Sequence, residues 1–465
     1  MDRLSSLDAE FLDLEDGVSH MHIAGMSVFD GAPPTEAEVR ELLATALDRI
    51  PRYRQRVHLV PLGLGRPVWV DDPTFELGYH VRATALAEPT DRALCDLMGR
   101  LMAQELDRTR PLWEVWIVRG LPDDRWALVS KVHHCMVDGV AGVGLLEALL
   151  DTEPDTPRRP VTPWDPRPAP SGAQLVLDAW SGLAHDAVGR IGTIPGLLRN
   201  PCRAVRDGVD AATGLARLAR QIVPTPATSI DGTIGSQRSW AHASSSLAEV
   251  KQIRSAFGGT VNDVVLTAVA GGYRDLLIAN GDDVDAAALR TLIPVSVRLA
   301  DDPALDNHVS GILYELPIRV ADPVERLHVV RTATAHLKAS HMAEAGEAIV
   351  SAADLLPPLL VGATSRALMR ISRDHPQRSL DTVTTNVPGP QFPLYCLGRR
   401  MLEHRPFVPI THGFRTATAI LSYDGTLSFG VTGDLRSEDD VAVIAAGITA
   451  TIDELALRST VATAS

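Results

Sequence analysis

Apolar side chains at Val39, Leu42, Leu43, Ala46, Leu47 and Ile50 recur at i, i+3, i+4 spacing, which predicts an amphipathic helix over residues 36–50, begun by Pro33-Pro34-Thr35. A second stretch of that period covers residues 91–106. From residue 110 to 134 the pattern changes: 112–118 and 126–132 are short Trp- and Val-rich runs around Gly120-Leu-Pro-Asp-Asp124. Those are two strands and a turn. Helical spacing resumes over 140–150.

Between residues 151 and 172, prolines at 154, 157, 160, 163, 166, 168 and 170 exclude helix and central strand, so this segment is a linker. Amphipathic stretches follow at 175–188 and 215–223. They are expected to pack in a core or between lobes, with a lipid-facing surface as the alternative. A turn-rich segment, 224–239, closes the crossover. Beyond it the pattern predicts helices at 247–257, 261–279 and 323–342 and strands at 292–297, 310–316, 416–423 and 426–431. Interleaved helices and strands indicate a mixed α/β fold, divided as an N-terminal lobe (1–150), a linker and helical crossover (151–239) and a C-terminal lobe (240–465).

The chain has 465 residues, enough for two or more domains, and a hydrophobic fraction of 45% to fill their cores. Its net charge of −14 argues against a nucleic-acid partner and against attraction to anionic lipid. The polar, acidic start lacks the features of a secretory signal, and no window offers the ~20 apolar residues of a membrane span. A cytoplasmic protein with at most peripheral contact to a membrane or lipid inclusion is expected. Cys95, Cys135, Cys202 and Cys396 are scattered without C-x-x-C spacing, so neither a disulfide framework nor a structural zinc site is expected.

Phosphate-loop, zinc-protease and nucleophile-elbow signatures are missing, and Gly63-Leu-Gly65 lacks the third glycine of a dinucleotide fingerprint. The segment that stands out is His133-His134-Cys135-Met136-Val137-Asp138-Gly139, at the exit of a strand and before a helix. A histidine there can be half-desolvated and kept neutral as a base, Asp138 can hold the turn, and Gly139 gives the backbone freedom to reverse. No third and fourth ligand stands at a useful spacing for a metal. Trp113 and Trp116, three apart in a strand, fall on opposite faces and read as core rather than a ligand platform.

His133-His134-x-x-x-Asp138-Gly139 resembles the active-site signature of CoA-dependent acyltransferases and nonribosomal condensation domains. Flanking blocks narrow this: Leu106-Asp-Arg-Thr-Arg-Pro-Leu-Trp-Glu114, Asn386-Val-Pro-Gly-Pro390 and Leu7-Asp-Ala-Glu-Phe-Leu-x-x-Glu15 resemble the bacterial wax ester synthase/diacylglycerol acyltransferase family. Pro51-Arg-Tyr-Arg-Gln-Arg56, Val261-Asn-Asp-Val-Val265 and Pro294-Val-Ser-Val-Arg298 fit it in order. Ser6 and His20 stand where proline is expected and Cys135 where alanine is usual, departures that bear on the substrate entrance.

The resemblance implies two chloramphenicol-acetyltransferase-like lobes with the active-site channel between them. It implies transfer of a long-chain acyl group from acyl-CoA to diacylglycerol or a fatty alcohol, with His134 as general base and no cofactor or metal. Asn262 and Asn386 are candidates to polarise the thioester carbonyl, with helix capping and loop shaping as their alternatives. Arg298 is the candidate partner of Asp138, or else a rim arginine paired with Asp301 or Asp302. Two other functions remain open: an acyltransferase using a carrier-bound donor, and a non-catalytic lipid-inclusion surface protein.

Overall fold

The computed structural model describes residues 2–136, 144–158, 160–181, 224–296, 309–339, 378–434, 437 and 439–464. Asp138, Gly139, Arg298, Cys202 and the amphipathic stretch 215–223 lie outside the described residues, and only the first part of 175–188 lies within them, as a helix over 172–181.

Two six-stranded sheets carry the fold. The first is ordered β11-β12-β1-β6-β5-β4, with β1 His22–Phe29, β4 Val81–Ala85, β5 Trp113–Arg119, β6 Trp126–His133, β11 Tyr395–Cys396 and β12 Arg399–Phe407. The second is ordered β7-β14-β13-β10-β8-β9, with β7 Ser239–Ser246, β8 Leu289–Ser296, β9 Val309–Leu316, β10 Thr382–Pro388, β13 Thr416–Tyr423 and β14 Thr426–Gly433. A small hairpin pairs β2 (Gln55–His58) with β3 (Val68–Asp71).

β6 lies between β1 and β5, and every residue of it is buried. Phe29 stacks on Trp126 at 4.4 Å, and Trp113 fills the opposite end of the same core while donating its indole N–H to the Tyr53 carbonyl (2.8 Å). The helix Glu36–Ala46 covers this sheet with Val39, Leu42, Leu43 and Ala46, and its start is fixed by a capping box between Thr35 and Glu38. In the second half, Thr260 and Asp263 form the same device at the head of the helix Val261–Ala279. That helix packs Val264, Val265, Ala268, Val269 and Leu276 into a core completed by the helix Asp440–Ala464. Each fully buried aliphatic side chain contributes about 1.5–3 kcal/mol.

The chain crosses between the sheets. After β10 in the second sheet, β11 and β12 return to the first, where β12 pairs antiparallel with β1 from Ala24↔Phe407 to Phe29↔Met401. Two glycines make this crossing possible. A Cβ at Gly25 would sit 2.4 Å from the His404 ring, and one at Gly430 would sit 1.8 Å from the Pro406 carbonyl oxygen, where β14 passes β12. Trp240 of β7 closes the contact by donating to that same carbonyl (3.3 Å). At the crossing the His404 ring lies on the backbone of Gly25 and the Pro406 carbonyl on that of Gly430, and neither contact leaves room for a side chain.

Candidate active site

The last turn of β6 delivers the His-His pair to the rim of the first sheet. His133 is fully buried and opposite His22 in register. Its N–H donates to the Leu112 carbonyl (2.9 Å), while the His134 N–H donates to the Met21 carbonyl (2.8 Å). Neighbours on both sides therefore clamp the dipeptide before the chain turns into a short 3-10 helix, His134–Met136. The His134 ring stacks on Phe11 of the helix Ser6–Leu14 at 4.0 Å and 28°, and remains half-buried.

Burial lowers the His134 pKa to about 4, with the neighbouring His133 imidazole adding to the effect and a contact to its own backbone carbonyl opposing it. The ring is neutral near pH 7, as a base must be before it accepts a proton. The His133 Nδ1 accepts the N–H of Cys135 (3.1 Å), so that nitrogen carries a lone pair and the proton of the neutral ring is on Nε2. This Nε2 faces Glu15 Oε2 at 3.4 Å.

Glu15 is the buried anion of the site. Its Oε2 accepts from Arg108 Nη2 (2.6 Å) and Nε (3.0 Å); its Oε1 accepts from the Met21 N–H (3.2 Å) and lies 3.1 Å from His22 Nε2. Burial pushes its pKa up, but the polar contacts of His133 and His22 prevail and hold the carboxyl well below the usual range. Burial also brings His22 down to about 3 and Lys131 to about 8. Lys131, two residues before His133 in β6, donates to the carbonyls of Leu101 (2.9 Å) and Gln104 at the end of the helix Asp91–Met102.

On the second sheet, Asn386 lies in β10 rather than in a loop, and its Nδ2 donates to Oδ1 of Asn262 (3.2 Å). Asn262 does not cap its helix, because Thr260 does. The two amides, 124 residues apart, form one pair, a bond that uses neither N–H of the Asn262 amide and one of the two on Asn386. Asp263 beside them is taken up by Thr260 and by the Thr334 hydroxyl (2.7 Å).

Sequence reasoning placed the histidines and paired neither asparagine with the other. It assigned no role to Glu15, Arg108, His22 or Lys131, although Glu15 and Arg108 stand in the quoted blocks. A carboxylate three residues beyond an apolar Phe-Leu step was the available signal for burial. Trp113 is core, while Trp116 is half-buried and donates to Glu114 Oε2 (2.9 Å). Cys95, Cys135 and Cys396 are buried free thiols. Among the described residues, Asp91, Cys95 and His242 bring three metal-capable atoms together. There, Asp91 already holds His242 Nε2 (2.9 Å) and Arg405 (3.1 Å), and burial raises the Cys95 thiol to about 12, so the group is a satisfied ion pair rather than a vacant ligand set.

The catalytic-domain profile of the wax ester synthase/diacylglycerol acyltransferases matches residues 4–265, and their C-terminal-domain profile matches residues 305–456. The chain belongs to the wax ester synthase/diacylglycerol acyltransferase family. It is an acyltransferase by that membership. A probable diacylglycerol O-acyltransferase of Mycobacterium tuberculosis is 37% identical over 96% of this chain and 94% of its own. The fold is shared with the wax ester synthase/diacylglycerol acyltransferase from Marinobacter aquaeolei VT8 (TM-score 0.66, 24% identity, 98% of this chain and 99% of that one). It is shared also with a trichothecene 15-O-acetyltransferase from Fusarium sporotrichioides (TM-score 0.58, 11% identity, 98% and 94%). The two-lobed acyltransferase fold expected from the resemblance is the one observed.

Proposed function

We propose that the protein moves a long-chain acyl group from acyl-CoA to the hydroxyl of diacylglycerol or a fatty alcohol, giving triacylglycerol or wax ester. The observation that carries this reading is a neutral, half-buried His134, clamped through its backbone and stacked on Phe11, in a chain of this family. His134 takes the proton of the acceptor hydroxyl as its oxygen attacks the thioester carbonyl. The C–S bond then breaks, and the proton passes to the departing CoA sulfur.

The amide Nδ2 of Asn262, its partner oxygen already engaged by Asn386, donates to the oxygen that gains charge, a role worth about 3 kcal/mol where such donors have been removed. The reaction as written consumes neither metal nor cofactor. The lipid acceptor, on this reading, is met at a surface the protein touches peripherally; among the described residues no helix is long and apolar enough to cross a membrane.

Incubating the purified protein with radiolabelled palmitoyl-CoA and a panel of acceptors, with thin-layer separation, tests the proposal. Labelled triacylglycerol or wax ester is expected. Label released only as free fatty acid, or left on CoA with every acceptor, would overturn it.

A further inference from the structure

Three blocks far apart in the chain meet at one carboxylate. Glu15 ends the first helix, Arg108 lies just before β5, and His133 ends β6; the Glu15 side chain is only 1% exposed. Two routes run from it to His134. In the first, Glu15 Oε2 faces the Nε2 proton of His133, whose Nδ1 in turn receives the N–H of Cys135, the residue after His134. In the second, Glu15 Oε1 receives the N–H of Met21, whose carbonyl receives the N–H of His134 itself. Arg108 supplies the cation that lets this anion stay buried.

We infer that Glu15 is a positioning residue for the acyl transfer: it fixes the ring tautomer of His133 and the backbone seat from which His134 works. This rests on His134 being the base. Only an acceptor suits the position, because Arg108 and the Met21 N–H donate to it and the Nε2 proton of His133 lies against it at 3.4 Å. A glutamine of the same shape turns two N–H donors toward at least one of these donors, so one contact is lost whichever way the amide faces. His133 can then exchange tautomers, and the turn that holds His134 loses its lock. Misplacing a reacting group by about 1 Å can cost ~10²-fold in rate.

The test combines Glu15→Gln, His133→Ala and their double variant with acyl-CoA turnover, after circular dichroism has shown each folded. Glu15→Gln is expected to lower kcat by about 10- to 100-fold with KM for palmitoyl-CoA nearly unchanged. The double variant should lose little beyond the worse single, since both interrupt one chain of contacts. Full kcat in Glu15→Gln, or losses that simply multiply, would overturn the inference.

Ring-15N nuclear magnetic resonance of the unaltered protein supplies a readout that needs no folded variant at Glu15. The His133 signal, identified by its loss in His133→Ala, is expected to be the Nε2–H tautomer. An Nδ1–H or doubly protonated ring would overturn the inference just as surely. If His134→Ala kept full turnover, the base assignment would fail while the tautomer still reported on Glu15 and His133.

Discussion

The two sheets bury polar groups in opposite ways. Around β6 the first sheet buries ionisable ones: Glu15, His22, His133, Lys131 and Glu114, with His80 and His404 nearby. Beneath the second sheet the buried groups are mostly neutral hydroxyls. Tyr273 bonds Thr382 (2.6 Å) and Thr416 (2.7 Å), and Thr291 bonds Thr384 (2.8 Å). On the proposed mechanism the proton moves in the charged half, whose groups are tuned by burial and by each other. The neutral half presents the Asn262–Asn386 pair, fixed dipoles that do not change with pH.

The largest effect expected falls on the charged half. His134→Ala removes the base, and kcat should drop by about 10²–10⁴-fold with folding and acyl-CoA affinity little changed. Steady-state kinetics on the folded variant decides it. Near-full turnover would erase the functional contrast between the sheets. Per folded molecule, kcat/KM of the unaltered protein should hold steady downward from pH 7 and fall only as pH approaches the His134 value of about 4, where the base becomes protonated.

Stability should divide the same way. Burial lowers His22 to about 3 and His80, His134 and His404 to about 4. As pH falls below ~6.5 the unfolded chain binds protons that these rings refuse in the fold, so stability is lost between about pH 6.5 and 4. At pH 5 all four rings stay neutral in the fold and are charged in the unfolded chain, so each of them opposes the fold there. Stability, followed by tryptophan fluorescence in denaturant, should therefore fall steadily from about pH 6.5 to about pH 4. A fold unchanged at pH 4 would show that these rings do not govern stability.

The helices were legible because their signals are local. The predicted bounds 247–257 and 261–279 match the helices Leu247–Phe257 and Val261–Ala279, each started by a hydroxyl residue that the sequence displays, Ser246 and Thr260. Strands β1, β7, β10 and β12 were not legible. β10 reads Thr-Val-Thr-Thr-Asn-Val-Pro, polar enough to pass for a loop, and is buried only because hydroxyls on distant segments bond its threonines. β12 hides His404 against a glycine of β1, a fit no local pattern announces. The site divides likewise. His133-His134 is contiguous and visible, whereas Glu15 acquires its meaning from Met21, Arg108 and His133, which folding alone brings to it.

Among the few ionisable groups that the second half buries, Asp381 should be correctable. Burial raises Asp381 to about 7, with the nearby charge of Asp231 adding to it, while the N–H of Arg290 (2.6 Å) and the Thr225 hydroxyl (3.3 Å) oppose it. The folded state holds this proton up to about pH 7 and the unfolded state only to about 3.8, so its contribution is present in acid and lost as pH rises through 7. Asp381→Asn should then stabilise by about 1–2 kcal/mol at pH 8 and by little at pH 5, the reverse of the histidine effect. Equal shifts in Tm at the two pH values would contradict the assignment.

The smallest effect expected comes from the neutral ladder itself. Tyr273 is fully buried, and its hydroxyl serves two threonines on adjacent strands, β10 and β13. Tyr273→Phe keeps the ring and its packing and removes only that oxygen. Thr382 retains the Thr416 carbonyl as acceptor (3.0 Å), so the hydroxyl left short of a partner is that of Thr416. One buried hydroxyl unpaired, against a ring that fits unchanged, should cost about 1 kcal/mol. Because no charge is involved, the loss should be the same at pH 5 and pH 8, and the acid-unfolding curve should move without changing slope. A pH-dependent loss would mean that the second sheet shares the titratable character of the first, and the division between the halves would fall.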